Sequence, residues 1–70
     1  MAVRTFTATI HREDGLYVAM CPEVGTISQG LTMDEAVLNL KKATELYLAD
    51  FPATEIGQIS LTTFEVEYPA

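Results

Sequence analysis

"SQGLTMDEAVLNLKKATELYL", residues 28 to 48, decides the fold. Thr32 and Glu35 stand three apart, the spacing of a capping box. The Thr32 hydroxyl is placed to accept from the Glu35 N–H, and Glu35 to reach back to the Thr32 N–H. Leu31 and Ala36 occupy the staple positions beside it. At about 100° per residue, Met33, Ala36, Val37, Leu40, Ala43, Thr44, Tyr47, Leu48 and Phe51 share one broad apolar face. Pro52 stops the helix. One helix with one apolar face needs a sheet to cover it.

Working back from Gly30, "GTISQ" (25–29) reads as a short strand bounded by two glycines. Before it, "LYVAMC" ends at Cys21-Pro22, because proline cannot donate into a ladder. Residues 3 to 10, "VRTFTATI", alternate threonine with apolar side chains, as a half-buried strand does. A three-residue loop, Glu13-Asp14-Gly15, would set Ile10 opposite Val18. Phe6, Ala8, Ile10, Leu16, Val18 and Met20 would then share the core face. A two-residue Asp14-Gly15 turn shifts that pairing by one and mixes apolar with threonine positions, so the alternation argues for the longer loop.

Beyond the helix, "QISLTTFEVEY" (58–68) reads as a last strand, with a parity change at Thr62-Thr63 that a bulge would absorb. The expected fold is α+β, in the order β-β-β-α-β. A three-stranded antiparallel meander is joined by a fourth strand parallel to the first, with one helix packed on one face.

Seventy residues make one domain, with a small core and no disulfide to reinforce it, since Cys21 is the lone cysteine. Self-association is expected on size alone, a dimer first. The net charge of −6 repels phosphate backbones and disfavours direct nucleic-acid binding. There is no membrane-length apolar run and no signal-peptide pattern, which together predict a cytoplasmic protein.

Conventional catalytic sets are missing. In the three-residue-loop register, Cys21 lies opposite Thr7, roughly 13 Å along the strand from His11, too far for a proton transfer. Met20, Cys21 and Met33 fit packing better than soft-metal binding. The four glycines sit at separate turns rather than in a phosphate-cradling loop. No cofactor, metal or enzymatic activity is expected.

The ordered set Asp14-Gly15, Cys21-Pro22, Ser28-Gln29-Gly30, Thr32/Glu35/Ala36 and Tyr47-Leu48 resembles the HicB antitoxin family, over about Phe6 to Tyr68. The resemblance implies a partial ribonuclease H-like fold without nuclease activity. The first strand indeed carries no acid to join Glu45, Glu65 and Glu67 in metal-dependent hydrolysis. It also implies a partner, a small basic RNA-cleaving toxin of the HicA type that such domains bind and silence. Against the family pattern, "CPEVGTISQG" is one residue short and lacks a second proline. The sequence ends soon after the last expected strand, with no DNA-binding module, so DNA binding by this chain alone is not expected.

An acidic surface can occupy the electropositive site of such a toxin. The candidates for this contact are Glu13, Asp14 and Glu23, with Leu38 and Leu46 on the outward helix face and Asp50 at the unfavourable end of the helix dipole. The face formed by Thr5, Thr7, Thr9, Tyr17, Ala19 and Cys21 is the candidate self-association surface. The alternative function is a stand-alone homo-oligomeric structural or regulatory module of the same fold, with no toxin.

Overall fold

The computed structural model describes residues 3–51 and 56–69. Among these residues, three strands, β1 (Thr9–Glu13), β2 (Leu16–Cys21) and β3 (Thr26–Gly30), form an antiparallel sheet in the order β1-β2-β3, followed by one helix, α1 (Met33–Asp50). The α+β meander and the helix are as expected. The hairpin register, the start of the first strand and one capping contact differ, and a fourth strand is not shown.

The hairpin register is the first correction. Asp14 and Gly15 both have positive φ, 52° and 79°, and Glu13 pairs directly with Leu16. This is a two-residue turn of the primed kind, whose twist matches the flanking strands and which Asp-Gly favours. Local turn chemistry overrides the tidier threonine alternation. Ile10 therefore faces Ala19 rather than Val18. Tyr17, Ala19 and Cys21 turn toward the helix, and Leu16, Val18 and Met20 share the open face with Thr9 and His11.

The first strand also starts later than expected. β2 ends at Cys21, and Pro22 has no N–H to offer a longer ladder. The Thr7 N–H instead donates to the Glu23 carboxylate at 2.8 Å, so residues 3–8 continue from β1 without a backbone partner strand.

The helix begins as its sequence dictates. Thr32 is the N-cap, and its hydroxyl accepts from the Glu35 N–H at 3.1 Å. The Glu35 carboxylate reaches back to the N–H of Leu31, one residue before the expected Thr32. At the other end Phe51 is extended, with its N–H donating to the Tyr47 carbonyl at 2.9 Å, as suits a residue that precedes proline. Pro52 itself lies outside the described residues.

Packing is close where side chains are small. Ala36 and Leu40 on the helix meet Ala19 and Cys21 on β2 in the buried core, with Phe6, Ile10, Tyr17 and Val24 packed around them. A Cβ built on Gly30 would lie 2.6 Å from the Ala36 nitrogen, so glycine there lets the start of α1 rest on the end of β3. Two polar ties hold the same pair of elements. Asn39 Nδ2 donates to the Gln29 carbonyl at 2.9 Å, and the Thr26 and Thr44 hydroxyls meet at 2.7 Å.

The expected fourth strand is not shown. Among the described residues, 56–69 form no strand and no ladder with β1. The Gly57 N–H reaches the Glu23 carbonyl at 3.3 Å, and from Gly57 to Pro69 the residues are exposed. No helix among the described residues is long and apolar enough to cross a membrane.

Candidate functional site

The fold distributes the sequence-derived candidates over three places. Glu13 and Asp14 are exposed at the β1–β2 turn. Tyr17 pairs with Gly30, so that turn lies at the same end of the sheet as the start of α1, where Asp34 and Glu35 occupy the first turn. Four acids thus gather at one end. Glu13 Oε2 is 3.0 Å from His11 Nε2, an exposed pair that contributes little. Glu35 is committed to the capping box, which leaves Glu13, Asp14 and Asp34 freer to meet a cation.

Glu23 stands apart from them. It lies beyond the opposite end of β2, a six-residue strand spanning roughly 20 Å. Its carboxylate accepts from the Thr7 N–H and, at 3.5 Å, from the Cys21 thiol. Desolvation raises its pKa, but the hydrogen bonds from Thr7, its own backbone N–H and Cys21 together outweigh that and hold it below the usual carboxylate value. Glu23 stitches the end of the hairpin. Its local role is structural.

Leu38 and Leu46 are exposed on the outward face of α1, about 12 Å apart along the axis, with Lys42 between them. Asp50 follows one turn later, in a last turn that contains no basic residue. This stripe and the acidic end are separate surfaces.

The proposed self-association face does not exist as a unit. Cys21 and Ala19 are buried at 1% and 0% exposure beneath the helix, and Tyr17 packs on the same core. Thr9 lies on the open side, paired with Met20. Thr5 and Thr7 share its parity. The open face carries Val18, Met20 and Ile27 instead, aligned by the Met20–Ile27 and Val18–Gln29 pairs. The Asp14-Gly15 dipeptide was the signal that would have identified these residues.

His11 and Cys21 occupy opposite faces of the sheet, which separates them further than strand distance alone. Among the described residues no group of three His, Cys, Asp or Glu side chains could hold a metal. A groove of about 690 Å³ runs between residues 3–8 and α1. Phe6, Ala8, Val37, Leu40 and Leu48 give it an apolar lining, with Lys41 and Arg4 beside them.

The chain is similar to a UPF0150 protein of Helicobacter pylori strain J99, with 41% identity over 54 residues, covering 76% of this chain and 75% of that protein. No family model matches the chain. No solved structure matches it either.

Proposed function

Since the chain belongs to the UPF0150 family, we propose that its members of this type act as non-catalytic HicB-like antitoxins, and that this domain binds a small basic RNA-cleaving toxin of the HicA type. The observation that carries this reading is the acidic end of the sheet. Glu13 and Asp14 at the turn and Asp34 at the helix start project from a chain of net charge −6. They form a surface suited to the cationic groove in which a toxin would hold RNA phosphates. The ordered residues that resemble the HicB family support it: Asp14-Gly15 makes the turn, Gly30 seats the helix and Thr32/Glu35 cap it. The partial ribonuclease H-like fold of this reading has a fourth strand beside β1, a role open to residues 58–68. A cytoplasmic setting belongs to the same proposal.

The test is capture of tagged protein from native lysate at low and high salt. A small basic protein that arrests growth alone, is rescued by this chain and is released at high salt is the expected result. Failure of this chain to rescue growth from any captured protein would refute the antitoxin reading. The second reading, a self-associating module without a toxin, is favoured by the exposed Met20 and Ile27 beside the half-buried Val18 on the open sheet face.

A further inference from the structure

Two features of the described residues lack a partner within the chain. The first is the β1 edge with its groove. The two-residue turn makes Glu13 and Leu16 a hydrogen-bonded pair, so the backbone groups of Glu13, His11 and Thr9 face β2. Those of Arg12, Ile10 and, by continuation, Ala8 point to the free edge, where no strand lies among the described residues. Beside that edge runs the apolar groove, with the α1 side chains Val37, Leu40 and Leu48 along its wall.

The second is the segment after Gly57. Phe64, Val66 and Tyr68 alternate with Glu65 and Glu67 in a run as long as β1. Phe64 and Tyr68 are 85% and 75% exposed, and Leu61 and Val66 are also largely bare. A row of apolar side chains and unpaired backbone of this kind is a template for strand addition. The segment extends clear of its own sheet. The radius of gyration is 14.4 Å, against about 11 Å for a compact chain of this length.

We propose that residues 58–68 of each chain complete the sheet of a second copy, lying along its β1 edge with Phe64, Val66 and Tyr68 in its groove, in a reciprocal exchange. A second copy always supplies the matching edge, and the exchange closes under two-fold symmetry. With Phe64, Val66 and Tyr68 in the groove, Glu65 and Glu67 fall on the open face of the sheet, clear of the apolar lining. The area is sufficient. Burying an aromatic side chain removes about 150–250 Å² from water. Two segments and the grooves they fill therefore reach the roughly 1,200–2,000 Å² of a stable interface. The exchange also enlarges a core whose covered apolar side chains, among the described residues, are Ala19, Cys21, Ala36 and Leu40.

The experiment is isotope-filtered NMR on a mixture of labelled and unlabelled full chain, together with sedimentation of the wild type and of a Phe64→Asp, Val66→Asp double variant. Contacts between the Val66 methyls of one copy and Ala8, Val37 or Leu48 of another are expected, with a mass twice the 7.7 kDa of the chain. The double variant should sediment at the single-chain mass with its helical circular dichroism intact, because α1 and the buried core lie outside the exchanged segment. The same contacts found only within one chain would overturn the proposal, as would a wild type that stays monomeric at millimolar concentration or a double variant that remains dimeric. None of these readings depends on a toxin.

Discussion

Gly30 and Ala36 approach so closely that the backbone of one element fills the space where the other would carry a side chain. A Cβ on Gly30 would sit 2.6 Å from the Ala36 nitrogen and 2.9 Å from the Glu35 carbonyl carbon. Neither obstacle is the end of a flexible side chain. Gly30→Ala must push the start of α1 away from β3, and overpacking of this kind costs about 1–3 kcal/mol. Urea denaturation of the variant should show that loss, with the midpoint shifted and the slope retained. An unchanged midpoint would mean that the helix start is not seated on Gly30.

The Thr26–Thr44 hydroxyl pair, 2.7 Å apart, makes a second prediction at the same seam. Thr44 is buried, so Thr44→Val leaves the Thr26 hydroxyl without its partner and should cost about 1–3 kcal/mol. Thr26→Val with Thr44→Val removes both polar groups and should recover part of that loss. A double-mutant cycle in urea measures the coupling. Additive losses would show that the two hydroxyls do not depend on each other.

Glu23 gives the stability a pH dependence of known sign. Its folded pKa lies below the ordinary value of 4.5, because the hydrogen bonds from Thr7, its own backbone and Cys21 favour the carboxylate. The unfolded chain therefore binds the proton more readily. Its contribution is fully present above 4.5 and is lost as the pH falls through the folded value. Glu23→Gln should flatten the acid limb of a stability-versus-pH curve and leave its slope above neutrality unchanged. An identical acid limb in the variant would remove Glu23 as its source.

The helix was legible in the sequence because its signals are local. Thr32, Glu35 and the 36/40/44 spacing act within a few residues, and they start α1 and choose its buried line. The sheet was harder to read because two signals conflicted. Threonine alternation in residues 3–10 favoured one register, and Asp14-Gly15 imposed another through backbone twist. One shifted residue then exchanged the two faces of β2 and moved Ala19 and Cys21 from a supposed contact surface into the core. The tie between the Thr7 N–H and the Glu23 carboxylate is not legible, because nothing in a linear sequence shows that Thr7 lacks a strand partner. The alternation at 64–68 was visible from the start. What it did not disclose is where the matching edge lies.

The placement of Glu23 also changes how the acidic surface is to be probed. Reversing Glu13, Asp14 and Glu23 together would confound charge with folding, since Glu23 satisfies the Thr7 N–H. Glu13→Lys with Asp14→Asn avoids this. Glu13 is exposed, and asparagine tolerates the positive φ of 52° that residue 14 adopts in the turn. This pair changes the charge of the turn by three units while leaving the unfolding free energy within about 0.5 kcal/mol of wild type. If the acidic end meets a basic toxin, the variant should associate at least tenfold more slowly at low salt, and the difference should shrink as salt rises. Stopped-flow association with the captured partner at two ionic strengths measures it. Equal rates at both would move the contact to the Leu38–Leu46 stripe, where charge plays no steering part.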